Sequence, residues 1–306
     1  MFASEIEIHI TTKNRWNELQ FTLQQLQAQN IFETAKVIVF DDGSTDRTSD
    51  FIRNQFPQVQ LLRNGQSRGY MYCRNQMLNQ SKALYAVSLD DDAHFINGDA
   101  LKYVVQNFES DPLAAVLAFR IFWGKEIRKF ERSDETAHQV QSFVGCGHAW
   151  RIDAWRQVPD YPEYWKFYGE EDFASYSLFK KGMKVLYTPE VYVQHRVDVR
   201  SRKLQDDYSL RLQRGWQSGW NLMFTFYPFP MFIKMFSYSI FWQLKSRVFK
   251  TEPEAVFTMG KALFYFVLDL RLLIKGRNTL LKSEFTAYMK LPKAKIYFQP
   301  SVKSIV

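Results

Sequence analysis

Two short apolar runs each stop abruptly in a cluster of aspartates, and this pattern constrains the chain more than any other feature. Val37–Phe40 ends in Asp41-Asp42-Gly43-Ser44, and Leu84–Leu89 ends in Asp90-Asp91-Asp92. A short apolar run bounded by turn signals reads as a buried strand. Such a strand carries the acids that follow it to one defined edge of a sheet. In parallel sheets, ligands bind beyond the carboxyl ends of the strands.

The rest of the first part alternates in the same way. Ile6–Thr11 has the pattern of a strand, and Asn17–Gln29 sets Leu19, Leu23 and Leu26 at helical spacing. Asp46 is placed to cap a helix running through Phe56. Val59–Leu62 reads as a strand, Arg68–Ser81 as a helix, and Ala114–Phe119 and Val191–Val193 as further strands. This β-α-β-α-β order predicts an α/β fold with a Rossmann-like, mostly parallel sheet. From about Arg200 strand signals fade and basic, aromatic helical stretches take over. The expected division is therefore an α/β domain over 1–199 and a mainly helical region over 200–306.

Charge divides at the same place. The chain carries +8 in all, but residues 1–199 hold 22 basic and 26 acidic side chains, whereas 200–306 hold 18 and 6. A basic, aromatic region implies an anionic partner: a membrane surface, a nucleic acid or a charged substrate. No clean spanning segment is found. Leu222–Trp242 is broken by Pro228, Pro230 and Lys234, and Val256–Ile274 carries Lys261, Asp269 and Arg271. Within the latter, Thr258, Lys261, Tyr265 and Asp269 form a narrow polar stripe beside Leu263, Phe264, Phe266 and Val267. That pattern suits a helix lying in a membrane interface. It equally suits packing on the catalytic part or on a second copy in a homo-oligomer. Met1–Arg15 lacks the basic and apolar regions of a secretory signal. Cys73 and Cys146 fit no metal pattern and read as free thiols in a reducing compartment. The expectation is a cytoplasmic protein, peripheral on the inner face of a membrane, with no nucleic acid bound.

Asp90 and Asp92 stand at i and i+2, so their carboxylates fall on one side of the chain. Hard cations such as Mg²⁺ or Mn²⁺ prefer such oxygen pairs and share coordination with phosphates. A polar surface loop is the plain alternative. Asp41 and Asp42 could accept hydrogen bonds from a base edge or a ribose, although Gly43, Ser44 and Asp46 serve a turn and a helix cap in any fold. Gly169-Glu170-Glu171-Asp172-Phe173 puts acids at a helix start, where the macrodipole favours them, or where a general base would stand. His195, after a strand, is a candidate fourth group of a metal site. Tyr161, Tyr164, Trp165, Phe167 and Tyr168 precede the acids, as core or as sugar-facing rings.

In order and spacing these stretches resemble a family 2 glycosyltransferase of the GT-A fold. The matching segments are Thr11-Thr12-Lys13-Asn14-Arg15, Asp41 through Asp46, Asn64 through Gly69 to Arg74-Asn75, Leu89-Asp90-Asp91-Asp92, Glu171-Asp172, and Val193-Gln194-His195. They cover the first two-thirds of the chain. The family commonly has Pro-Thr-Tyr-Asn where this chain has Thr11-Thr12-Lys13-Asn14, and the stretch from Asn64 to Gly69 is longer than usual. The resemblance implies that Thr11, Arg15, Asp41 and Asp42 line a nucleotide pocket and that Arg74 lies near the base or phosphates. Asp90, with Asp91 beside it, faces the ribose. Asp92 and His195 hold Mn²⁺ or Mg²⁺, and Asp172 is the catalytic base, supported by Glu171. The implied reaction is inverting transfer from a nucleotide-diphosphate sugar, UDP-linked, to a hydroxyl of a glycan or lipid-linked acceptor, in surface polysaccharide or glycoconjugate synthesis. Two alternatives are a metal-dependent nucleotidyltransferase, which lacks its GxxxxGK loop here, and an inactive sugar-nucleotide-binding relative.

Overall fold

In the computed structural model, which describes residues 5–126, 133–197, 207–249 and 252–298, strand β1 (Ile6–Thr12) lies at the heart of the sheet. Ile6, Ile8 and Ile10 are fully buried on one face. On the other, Glu7 and His9 are buried as a pair 3.0 Å apart, so neither polar group is left unmatched. Helices α1 (Trp16–Ala28) and α2 (Ile31–Thr34) lead to β2 (Lys36–Asp41), α3 (Thr48–Gln55), β3 (Gln60–Arg63), α4 (Tyr70–Gln80) and β4 (Tyr85–Asp90). These four strands are all parallel, in spatial order β3-β2-β1-β4. Thr11 stands opposite both Phe40 and Asp90, and Thr12 opposite Asp41. That register brings the ends of β1, β2 and β4 to one edge.

The second half departs from simple alternation. It comprises β5 (Ala93–Phe95), α5 (Ala100–Ser110), β6 (Ala114–Trp123), β7 (His138–Val140), β8 (Gly147–Arg151), α6 (Ile152–Trp155), α7 (Glu170–Lys180) and β9 (Lys184–His195). Strand β8 runs antiparallel between β4 and β6, so its first residue, Gly147, lies opposite Leu89 at the acidic edge. Strand β9 runs parallel to β6 and pairs His195 with Trp123. The apolar triplet Val191–Val193 is thus the end of a much longer strand, and the sheet continues through β8, β6, β9 and β5.

Helices α8 (Tyr208–Phe226), α9 (Phe229–Gln243), α10 (Ala255–Lys275) and α11 (Lys282–Lys290) follow, and β10 (Ile296–Phe298) returns to pair with β6. A boundary at Arg200 lies outside the described residues. The helical region shares its core with the sheet: Trp216, Trp220, Phe226 and Tyr288 pack with Trp150, Trp165, Phe173 and Tyr176. The four-residue polar stripe expected on α10 is split. Thr258 is buried and the carboxylate of Asp269 accepts hydrogen bonds from Gln217 and Asn221 of α8, while Lys261 and Tyr265 face outward. Helix α8 supplies amide donors that the α10 sequence cannot reveal, which is why Asp269 turns inward. None of the described helices is long and apolar enough to cross a membrane.

Candidate active site

Asp90, Asp92 and His195 converge. Each offers a ligand atom, and these atoms lie within 4.8 Å of one another. Strand β4 delivers Asp90 and the turn after it Asp92, while β9 brings His195 from about a hundred residues further on. Asp91, between the two, points elsewhere: Thr12 Oγ1 donates to it at 2.8 Å and Arg15 lies 3.2 Å away. Alternation about the chain thus separates a metal-facing pair from an acid that ties the turn to β1. Burial pushes Asp91 up to about 7, against the pull of Arg15.

The converging set fits a hard divalent cation. It offers two carboxylates and an imidazole, and Asp92 Oδ1 is buried 3.1 Å from His195 Nε2. Burial opposes charge on Asp92, but His195 and Arg15 (2.6 Å) outweigh it and hold the carboxyl below the usual range. Burial likewise disfavours the His195 imidazolium, and Cys146 and Asp92 overcome it, so the ring is held protonated above its ordinary range. A cation held by Asp90, Asp92 and His195 would take the place of that proton.

Arg74 links this cluster to the acids at the start of α7. Its guanidinium donates to Asp90 (2.7 Å), to the Gly145 carbonyl (3.0 Å) and to Glu170 (3.1 Å). It is buried, so it serves as an internal tie and not as an exposed platform for a base. Glu171 Oε1 accepts from the Gly145 backbone N–H at 3.1 Å. A Cβ at Gly145 would strike that carboxylate and push it aside. Burial, then the neighbouring Glu170, hold Glu171 well above the usual carboxylate range. Asp172, about 100° further round the helix, faces a cavity of about 360 Å³. Ser142, Tyr176, Tyr227, Tyr288 and Lys293 line it with Asp172. Burial also raises the Asp172 pKa, against Ser142 and Lys293.

The other nucleotide-pocket candidates fall into two groups. Thr11 Oγ1 is buried with no partner, and Arg15, although half-exposed, is paired with Asp91 at 3.2 Å and with Asp92 at 2.6 Å. Asp41 and Asp42 are committed to their own chain. Asp41 accepts from the Ser44 N–H at 2.8 Å and from Ser49 Oγ. Asp42 accepts from Asn64 and the Arg68 N–H at 2.8 Å, from Ser67 at 2.6 Å and from the Gly69 N–H at 2.9 Å. Although burial opposes them, these four donors hold the Asp42 pKa down. Gly43, at φ +73°, lets Ser67 approach where a Cβ would collide with its N–H. Sequence reasoning missed Trp123, edge-on to His195 at 5.6 Å, and Arg196, whose backbone N–H donates to the Asp92 carbonyl at 2.9 Å. Only the position of Arg196 immediately after His195 hinted at a role.

The profile of glycosyl transferase family 2 matches residues 7–174. A stretch of 104 residues, 32% of this chain, is 32% identical to the poly-β-1,6-N-acetyl-D-glucosamine synthase of Staphylococcus aureus strain COL, and covers 24% of that protein. The match thus spans about a quarter of the curated relative. The structure resembles that of GalNAc-T7 with UDP, GalNAc and Mn²⁺, at TM-score 0.61 and 13% identity, over 89% of this chain and 57% of that one. It also resembles the mannosyltransferase PcManGT of Pyrobaculum calidifontis in complex with GDP-Man and Mn²⁺, at TM-score 0.55 and 16% identity, over 94% and 84%. These likenesses establish the GT-A fold. With more than half of its length matched by the family profile, the chain belongs to glycosyl transferase family 2.

Proposed function

We propose that the chain moves a sugar from a nucleoside-diphosphate sugar, UDP-linked, to a hydroxyl of a glycan or lipid-linked acceptor, in surface polysaccharide or glycoconjugate synthesis. The observation that carries this reading is the joining of two sites by Arg74: the Asp90–Asp92–His195 cluster and Glu170, which stands next to Glu171 at the start of α7. Thr11 and the half-exposed Arg15 would contact the nucleotide, with Arg15 exchanging its pairing to Asp91 and Asp92 for the ligand, while Asp41 and Asp42 would shape the pocket from behind. Asp90, Asp92 and His195 would hold Mn²⁺ or Mg²⁺. When bound, such an ion offsets the charge that builds on a departing diphosphate, so no general acid is needed.

The acceptor hydroxyl must lose its proton as it attacks the anomeric carbon. Glu171 is the better placed base, because it shares Gly145 with Arg74 and so lies on the Asp90 side. The sequence expectation favoured Asp172. Its place in the tyrosine-lined cavity supports a different role, binding the acceptor beside Glu171. Both carboxyls have raised pKa values, as general bases working near neutrality require. A single displacement of this kind inverts the anomeric centre.

Location belongs to the same reading: a peripheral enzyme on the cytoplasmic face of a membrane, held there by its basic C-terminal region. The test is a thermal-shift screen of nucleotide sugars with Mn²⁺. A UDP-sugar is expected to stabilise the protein only when metal is present, and Asp92→Asn to lose that dependence. Undiminished stabilisation in excess chelator would remove the metal role. A product of retained configuration by NMR would exclude the single displacement.

A further inference from the structure

We propose that the outward faces of α9 and α10 together form one docking surface for an anionic lipid bilayer. The inference rests on the peripheral-membrane reading above and names the surface responsible. The two helices lie side by side on α8. Trp220 of α8 meets Phe236 of α9 at 5.4 Å and Phe266 of α10 at 6.4 Å, and Phe236 and Phe266 close the seam at 5.3 Å. Away from that seam, apolar side chains stand in water. Helix α9 exposes Phe229, Ile233 and Phe241, and α10 exposes Phe257 (74%), Phe264 (60%) and Leu268. Tyr238 and Trp242 of α9 and Val256, Val267 and Ile274 of α10 are exposed as well, so apolar surface covers much of the outward side of each helix.

Charge indicates what covers them. The outward cations are Lys234 and Lys245 at α9, and Lys261, Arg271 and Lys275 on α10. An ordinary solvated surface carries both signs, but α9 contains no acid. The one acid of α10, Asp269, is turned into α8, where Gln217 donates at 2.8 Å and Asn221 at 2.9 Å. Outward apolar faces studded with cations, with the exposed acid Glu254 at the α10 N-cap, are complementary to hydrocarbon beneath anionic headgroups. A second copy docked face to face would oppose cation to cation across a two-fold axis, which disfavours self-association. None of the described helices can cross the bilayer, so the surface lies upon it.

The experiment is flotation of the full chain with phosphatidylcholine vesicles, with and without phosphatidylglycerol, at low and high salt. Binding is expected only to the phosphatidylglycerol vesicles and is expected to weaken with salt. Two double variants test the face: Phe257→Ser with Phe264→Ser, and Lys261→Glu with Arg271→Glu. Each cation is worth roughly a fivefold change in partitioning, so the charge reversal should reduce binding more than tenfold. Unchanged melting temperature and nucleotide binding would show that the variants are folded. If the parent floats and both variants float equally well, this face is wrong while the membrane reading stands. If the parent floats with neither vesicle, both fall. A solution dimer dispersed by the phenylalanine variant would assign the face to a second copy and overturn the proposal.

Discussion

Arg74 lies 2.7 Å from Asp90, and this contact couples the end of β4 to the start of α7, because the same buried guanidinium reaches the buried Glu170 at 3.1 Å. A guanidinium can meet several acceptors in a fixed plane, whereas an ammonium cannot. Removing it strands Glu170 in the interior. Arg74→Ala is expected to cost about 3–5 kcal/mol, the usual penalty for breaking a buried pair, read as a lower melting temperature. Arg74→Lys should recover part of the stability but little of the turnover. Wild-type turnover by Arg74→Lys would show that the coupling is incidental.

The two carboxyls of α7 should separate kinetically. Glu171→Gln is expected to lower kcat by roughly 10²–10⁴-fold, the share of a general base, with donor binding intact. Asp172→Asn should act mainly on the KM of the acceptor. The reverse pattern would return the base to Asp172. Because burial raises both pKa values, the acidic limb of the rate profile should fall at higher pH than for an ordinary carboxylate. A folded pKa above the unfolded one gives stability that is full below the unfolded pKa and is lost as pH rises through the folded pKa. Asp172→Asn should therefore be relatively more stable than the parent as pH rises, measured by thermal unfolding across that range.

Asp42 should matter more to the pocket than to the ligand. It gathers Asn64, Ser67 and the Arg68 and Gly69 N–H groups, so Asp42→Ala leaves four donors without their acceptor. Hydrogen bonds to a charged group contribute about 1.5–3 kcal/mol each, and loop relaxation recovers part of the loss, so a net cost of about 2–3 kcal/mol is expected. The lowered Asp42 pKa makes this contribution present above the unfolded pKa and lost as pH falls through the folded one. The difference between Asp42→Ala and the parent should thus shrink in acid. A constant difference across pH would point to packing instead of charge.

The sequence by itself determined the first four parallel strands, the acidic edge and the family. Burial and turn chemistry are local signals: Ile8 and Ile10, Val37–Phe40 and Leu84–Leu89 announce their strands, and the aspartates announce where the strands stop. It also indicated the pairing of Asp90 with Asp92, since residues two apart at and just past a strand end fall on one side of the chain. What it could not determine was every relation made by distant segments. The antiparallel insertion of β8 brings Gly145 and Cys146 to the site, and only pairing across the sheet sets that register. Glu171 and Asp172 are adjacent in sequence and equally acidic. Their separation into a group bound to Gly145 and a group lining a tyrosine cavity depends on how α7 is rotated against its neighbours. The inward turn of Asp269 has the same origin, because a polar side chain on a helix faces solvent unless another element supplies donors, and those donors belong to α8.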